Sequence, residues 1–282
     1  MTARSTDSET RPRSVARWAL LASVAAVLCA CGSSSSSSTT TTSTPAAPKT
    51  LQVLVTNDDG YAAPGIAAAV QALRAIPDTK VTVVAPLTNQ SGTGGKTTAG
   101  TLTATDVTTA SGYPAKAVAG YPADTIVWAI DDHGISFRPE LVVSGINFGE
   151  NIGPLADVSG TVGAARAAAA RGIPALAVSQ GVDNGVSPDF AQGSKQLTAW
   201  VTSHRKALLA HPVATPLPEG NLNVPTCANG NIRGPVNVPL ATTVVGIDLS
   251  TVNCSSTATN PANDAEGFVE GFAVIAPLGS AS

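Results

Sequence analysis

The chain has 282 residues, enough for one large or two small domains, and 43% of them are apolar, which is ample for a sizeable core. Its 16 basic and 19 acidic residues give a formal net charge of −3 with no basic block beyond the N-terminus, which argues against a nucleic acid partner. Aromatic residues make up only 4%, so the core must be built from Ala, Val, Leu and Ile, as in a parallel sheet buried between helices.

The first 31 residues have the pattern of an export signal. Four arginines precede a 13-residue apolar run over 18–30, which is too short to span a hydrocarbon core of about 30 Å but typical of a signal peptide. The run ends in Leu28-Cys29-Ala30-Cys31-Gly32, which resembles a bacterial lipobox with Cys31 as the lipid acceptor. An ordinary secretory signal with a chance cysteine is the alternative. We therefore expect an extracytoplasmic lipoprotein that contacts the membrane through its lipid anchor only.

Residues 32–49 are rich in Ser, Thr and Pro, which predicts a flexible tether ahead of a folded domain over 50–282. Cys227 and Cys254 are the cysteines of that domain. Outside the cytoplasm such a pair is expected to oxidise, which would restrain the unfolded chain by about 2–4 kcal/mol. Two free thiols are the alternative, and zinc is not expected because no Cys or His lies at ligand spacing beside either cysteine.

The folded part begins with a βαβ pattern. The elements are predicted in this order: a strand over 51–56, a helix over 64–76, a strand over 81–86, a strand or hairpin near 101–105, a helix over 121–130, a strand over 141–144, a helix over 161–171, a strand over 175–179, a helix over 190–209, and late strands near 222–224, 242–247 and 272–275. This alternation predicts an α/β fold: a Rossmann-like three-layer arrangement with a mostly parallel sheet and a small β-hairpin and C-terminal extension.

Three of the predicted strands end in polar loops, after Thr56, Ala85 and Ser144, and open α/β sheets bind ligands at the carboxyl ends of their strands. The first loop carries Asp58 and Asp59, and adjacent carboxylates repel each other unless a cation lies between them. A hard divalent cation, Mg²⁺ or Mn²⁺, prefers oxygen ligands of this kind. A solvated turn is the alternative, because Asn-Asp-Asp-Gly is also a favourable turn sequence.

The other two loops offer neutral oxygen and amide groups, in Asn89-Gln90-Ser91-Gly92 and over 144–153. Ser159-Gly160-Thr161 stands directly before a predicted helix, where the first amides and the helix dipole favour a phosphate. A simple helix N-cap is the alternative for Ser159. These loops together predict a metal and phosphate site at one edge of the sheet.

Four motifs, in order along the chain, resemble those of the SurE family of nucleotidases. They are Val55-Thr56-Asn57-Asp58-Asp59-Gly60 with Ala63-Pro64-Gly65-Ile66, then Val84-Ala85-Pro86 with Asn89-Gln90-Ser91-Gly92, then Ser144-Gly145-Ile146-Asn147 with Gly149 and Asn151, and finally Ser159-Gly160-Thr161-Val162. The similarity covers 51–225 well and the remainder thinly.

The resemblance implies a divalent-metal phosphatase acting on nucleoside 5′- and 3′-monophosphates, with short polyphosphate as a substrate of some members. The metal ligands that it implies are Asp58, Asp59, Ser91 and Asn147. The phosphate-binding residues that it implies are Asn147, Asn151, Ser159, Gly160 and Thr161. Asp58 or Asp59 would orient or deprotonate the attacking water, and a phospho-aspartyl intermediate is left open.

Two features depart from the family pattern. Many members carry a long C-terminal hairpin that is exchanged between subunits, whereas 226–271 is short here, so a homodimer is only a candidate assembly. Most members lack a signal, so a tethered form implies an external substrate, a small phosphate monoester such as a scavenged nucleotide. Two alternatives stay open: a phosphatase for another small organic phosphate or short polyphosphate, and a non-catalytic surface lipoprotein that binds nucleotide or phosphate.

Overall fold

The computed structural model describes residues 49–210 and 219–279, which lie in one compact unit. The signal segment with Cys31, and the tether up to residue 48, lie outside the described residues. None of the helices in the described ranges is long and apolar enough to cross a membrane.

A nine-stranded sheet runs through the described residues in the order β3-β4-β2-β1-β5-β6-β7-β9-β8. The strands are β1 (Leu51–Thr56), β2 (Thr79–Pro86), β3 (Ala104–Thr108), β4 (Pro114–Val118), β5 (Leu141–Phe148), β6 (Ala175–Gln180), β7 (Glu219–Val224), β8 (Arg233–Asn237) and β9 (Phe272–Ala276). The central strands from β4 to β7 pair in parallel, whereas β3 is antiparallel to β4 and β9 is antiparallel to β7. The mostly parallel sheet and the inserted hairpin are therefore confirmed.

Helices cover both faces of this sheet. They are α1 (Pro64–Arg74), α2 (Pro122–Ile126), α3 (Leu155–Val158), α4 (Gly160–Ala169), α5 (Ala191–Leu208) and α6 (Asp264–Val269). Val53 and Val55 of β1 belong to the core that packs under α1 and α5, and Leu54 belongs to the core under α2 and α4. This alternation, which follows from the period of two along a strand, gives the predicted three layers.

Several predicted boundaries and elements differ from the structure. Helix α1 ends at Arg74 instead of residue 76, because Pro77 follows and a residue before proline avoids the helical conformation. The predicted helix over 121–130 is α2 followed by a π-helical turn, Val127–Asp131. The predicted strand over 242–247 is wrong: that segment holds only turns and loops, and Val245 is 89% exposed. Strand β8 and helix α6 are missing from the prediction, because both are short and lack a clear period.

The C-terminal extension is restrained by a disulfide within it and by a contact to the polar loop after β5. Cys227 and Cys254 form a disulfide with their Cα atoms 5.9 Å apart. The buried carboxylate of Asp264 accepts hydrogen bonds from the backbone N–H of Gly153, at 2.8 Å, and from that of Ala241, at 2.6 Å. Because Gly153 ends the polar loop after β5, the extension helps to position that loop.

Candidate metal and phosphate site

The turn after β1 is closed by the side chain of Asn57. Its Nδ2 donates to the carbonyl oxygen of Gly60 at 2.9 Å, and its Oδ1 accepts from the Gly60 N–H at 3.2 Å. Gly60 has φ of +98°, a conformation that only glycine adopts readily. Since β1 lies between β2 and β5, this turn places Asp58 and Asp59 at the carboxyl edge of the sheet, between the two other predicted loops.

Asp58 is almost fully buried, at 3% exposure, against the first turn of α4. Its carboxylate accepts a hydrogen bond from Thr161 Oγ1 at 2.6 Å and another from the Thr161 N–H at 3.1 Å. A Cβ on Gly160 would lie 2.8 Å from the Asp58 Cβ, so glycine is needed for this approach. Burial raises the pKa of Asp58 above its ordinary value, and the bonds from Thr161 oppose that rise. Asp58 is therefore itself the anion at this helix N-terminus.

Asp59 is less buried and less firmly held. Its carboxylate accepts hydrogen bonds of 3.2 Å from Asn89 Nδ2 and from the Phe148 N–H. Burial, and next the charge of Asp58, raise the pKa of Asp59 to about 6, although both hydrogen bonds act to lower it. Both carboxylates of the pair therefore have raised pKa values, and burial is the main cause for each.

The predicted ligands from the other two loops lie next to these partners of Asp59. The Ser91 N–H donates to Asn89 Oδ1 at 3.0 Å, so Ser91 adjoins the amide that contacts Asp59. Asn147 directly precedes Phe148, and its Nδ2 donates to the Gly149 carbonyl at 2.8 Å, which leaves its Oδ1 for a ligand. The four predicted ligand residues thus lie on three adjacent loops at the carboxyl edge of the sheet.

The oxygens of these four side chains form a suitable set of ligands for a hard divalent cation. Two carboxylates, a hydroxyl and an amide oxygen match the preference of Mg²⁺ and Mn²⁺. Within 49–210 and 219–279, no three His, Cys, Asp or Glu side chains cluster. A cation at this site would therefore complete its coordination with neutral oxygens and water.

The predicted phosphate-binding residues at α4 have local partners. Ser159 is the N-cap of α4, because its Oγ accepts from the Val162 N–H at 3.1 Å, and its hydroxyl hydrogen can still donate to a ligand. Thr161 instead directs both its N–H and its hydroxyl at Asp58. The structure therefore places Thr161 as a support for a predicted metal ligand and not as a direct phosphate contact.

Asn151 is fixed by a buried polar network that we did not predict from the sequence. Its Nδ2 donates to Ser179 Oγ at 2.8 Å, its N–H donates to Asn223 Oδ1 at 2.7 Å, and its carbonyl accepts from Asn221 Nδ2 at 2.8 Å. One amide hydrogen and the Oδ1 of Asn151 stay available to a ligand. The sequence signal was present, since two asparagines at alternate positions of a buried strand need polar partners.

Fold and site together define a class: a Rossmann-like α/β protein with an acidic, oxygen-rich site at the carboxyl edge of its sheet. The model of the family "Survival protein SurE" matches residues 53–246. The chain is 39% identical over 209 residues to the 5′-nucleotidase SurE of Methanopyrus kandleri, covering 69% of this chain and 73% of that protein. It is 32% identical over 245 residues to the 5′-nucleotidase SurE of Rhizorhabdus wittichii, covering 81% and 93%.

The fold is also that of a solved relative. The crystal structure of the SurE protein from Aquifex aeolicus superposes with a TM-score of 0.62 at 24% identity, covering 80% of this chain and 92% of that one. The chain belongs to the SurE family, as its motifs predicted.

Proposed function

We propose that the protein is a divalent-metal-dependent phosphomonoesterase that hydrolyses nucleoside 5′-monophosphates, and also 3′-monophosphates, to nucleoside and phosphate. The observation that carries this proposal is the carboxylate pair of Asp58 and Asp59, held beside Ser91 and Asn147 at the carboxyl edge of the sheet. The relatives named 5′-nucleotidase SurE support the choice of substrate.

In this proposal, Asp58, Asp59, Ser91 and Asn147 hold one Mg²⁺ or Mn²⁺. When bound, such an ion polarises a phosphoryl oxygen and lowers the pKa of a coordinated water. Thr161 fixes the orientation of Asp58 through two hydrogen bonds. We assign the orientation of the attacking water to Asp59, because its carboxylate is less buried and its hydrogen bonds are longer than those of Asp58.

Neutral donors surround the place where the phosphate would lie. The hydroxyl of Ser159 and the free amide hydrogen of Asn151 would donate to the equatorial oxygens of the transferred phosphoryl group, where negative charge spreads during the reaction. The loop over 149–153 must stay in place for this. The network around Asn151 and the bond from Gly153 to Asp264 both restrain it.

We further propose that the domain is exported and anchored through a lipid on Cys31, with residues 32–49 as the tether. The disulfide between Cys227 and Cys254 supports this location, since such bonds persist in oxidising compartments. Metabolic labelling with a radioactive fatty acid tests the anchor: the wild type should be labelled and Cys31→Ser should not. Sedimentation of the purified protein will show whether it forms the candidate homodimer.

The activity is tested by phosphate release from AMP, 3′-AMP, a sugar phosphate and short polyphosphate by the full-length chain with Mn²⁺ or Mg²⁺. We expect the nucleoside monophosphates to be the preferred substrates, with Asp58→Asn and Asp59→Asn each losing at least about 100-fold in rate, because each removes a carboxylate proposed to bind the metal. Asp106→Asn is the matched control, because Asp106 is exposed on β3. Preference for the sugar phosphate or polyphosphate would reassign the substrate, and binding of AMP without hydrolysis would favour a receptor.

A further inference from the structure

Phe148 has an exposed aromatic side chain, and its backbone adjoins the candidate site. It is 52% exposed, although most large apolar side chains of the described residues are buried. Its backbone N–H donates to Asp59 Oδ2 at 3.2 Å, and it directly follows the proposed ligand Asn147. An aromatic ring left in water costs free energy that a stacking partner would recover.

A polar cavity lies on the side of Phe148 away from β1. Phe148 pairs in register with Gln180 of β6, and Gln180 lines a cavity of about 350 Å³. The side chain of Gln180 is itself fixed, because its Oε1 accepts from the Gly193 N–H at 3.0 Å and its Nε2 donates to Thr226 Oγ1 at 3.3 Å.

The walls of this cavity suit a flat, polar-edged group. Asp189, Gln192 and Asn231 contribute hydrogen-bond donors and acceptors, and Val186 and Ile232 contribute apolar surface. The volume lies at the lower end of the range for small-molecule sites, about 300–1,000 Å³. The cavity thus begins at Gln180, the strand position paired with Phe148, one strand further along the sheet edge than Phe148 itself.

We propose that Phe148 is a specificity-determining residue on which the nucleobase of the substrate stacks, with the cavity beside Gln180 receiving the edge of the base. This inference rests on the proposed nucleotidase function. A substrate phosphate beside Asp59 would lie next to Phe148, whose N–H donates to that carboxylate, and every nucleobase offers a face to an aromatic ring. Hydrogen bonds from the cavity would then distinguish one base from another.

The test compares AMP with ribose 5-phosphate, which carries the same sugar and phosphate without a base. With the full-length, Mn²⁺-loaded protein, Phe148→Ala should lower kcat/KM for AMP about tenfold, mainly through KM, and change ribose 5-phosphate less than twofold. Phe148→Tyr should keep the wild-type ratio, because its ring can still stack. Val245→Ala, at an exposed residue in the turn-rich segment over 242–247, is the control and should change neither substrate.

The outcomes separate the two proposals. A wild type that releases phosphate from neither substrate refutes the nucleotidase function and the stacking together. An active wild type whose AMP to ribose 5-phosphate ratio is unchanged in Phe148→Ala refutes the stacking alone, and so does an equal loss on both substrates. For the cavity, Gln192→Ala and Asn231→Ala should each change the ratio of AMP to CMP at least threefold, and an unchanged ratio in both would overturn that assignment.

Discussion

Thr161→Val removes one contact from the proposed metal site and little else. Valine has nearly the shape of threonine, and the backbone bond from residue 161 to Asp58 is retained. What is lost is the hydroxyl that donates to Asp58 Oδ1 at 2.6 Å. Because Asp58 is buried, water cannot readily replace that donor.

The size of the effect follows from the charge and the burial of Asp58. A hydrogen bond to a charged group contributes about 1.5–3 kcal/mol, which corresponds to roughly 10- to 150-fold in an equilibrium constant. Mutation of a residue that orients a metal ligand typically lowers metal affinity about 10- to 100-fold. Both figures place the expected loss of Mn²⁺ affinity near 30-fold. The pKa of Asp58 should also rise further, since the opposing hydrogen bond is gone.

Isothermal titration calorimetry of Mn²⁺ into the metal-free protein measures this loss of affinity. A second assay follows AMP hydrolysis as a function of Mn²⁺ concentration. Thr161→Ser is the matched control, because serine keeps the hydroxyl and should bind Mn²⁺ within about threefold of the wild type. Saturating Mn²⁺ should restore most of the activity of Thr161→Val. If Thr161→Val binds Mn²⁺ as tightly as Thr161→Ser does, Thr161 does not support a metal ligand and the assignment of Asp58 fails.

Three further predictions concern the same site and its supports. Burial and the charge of Asp58 raise the pKa of Asp59 to about 6, and a cation binds the deprotonated carboxylate. Mn²⁺ affinity should therefore be constant above pH 7 and fall as the pH drops through 6. Equal affinities at pH 5 and pH 7.5 would contradict this. Asn223→Ala leaves the buried Asn151 N–H without its acceptor. We therefore expect the free energy of unfolding in urea to fall by about 1–3 kcal/mol, and kcat to fall as well. Unchanged stability would show that this network does not support the loop that carries Asn151. Replacing Cys227 and Cys254 by serine removes a crosslink between residues 27 positions apart in the sequence. The free energy of unfolding should fall by about 3–4 kcal/mol, which calorimetry would detect as a lower Tm. An unchanged Tm would refute a stabilising role for the disulfide.

The strands and the polar loops of the site could be predicted from the sequence because both are local patterns. Apolar runs of β-favouring residues identify β1 and β5, and the polar residues that follow them must meet at one edge of a parallel sheet. That reasoning already places Asp58, Asp59 and Asn147 near one another.

Contacts across the sheet could not be predicted in this way. The bond from Thr161 to Asp58 joins residues 103 positions apart, and it depends on how α4 packs against the end of β1. A sequence motif shows that Thr161 is present but not which group its hydroxyl meets. For the same reason, the network from Asn151 to β7 appears only once the strand order is known.

The strand that we predicted over 242–247 is absent from the structure, which shows that strand propensity alone does not determine whether a segment joins the sheet. The segment holds threonines and valines that favour strands, yet β8 already occupies the position beside β9 at that edge of the sheet. Strand preference mostly reflects packing against neighbours, and without a neighbouring strand the segment forms turns.

The most direct test of the proposed function is metal-dependent release of phosphate from AMP by the full-length protein. Phosphate is measured as purified, after dialysis against EDTA, and after Mn²⁺ is restored. We predict that EDTA abolishes the activity, that Mn²⁺ restores it, and that Asp58→Asn stays inactive even at saturating Mn²⁺. Activity that survives the removal of metal, or wild-type protein that releases no phosphate with Mn²⁺ present, would contradict the proposed role of the carboxylate pair.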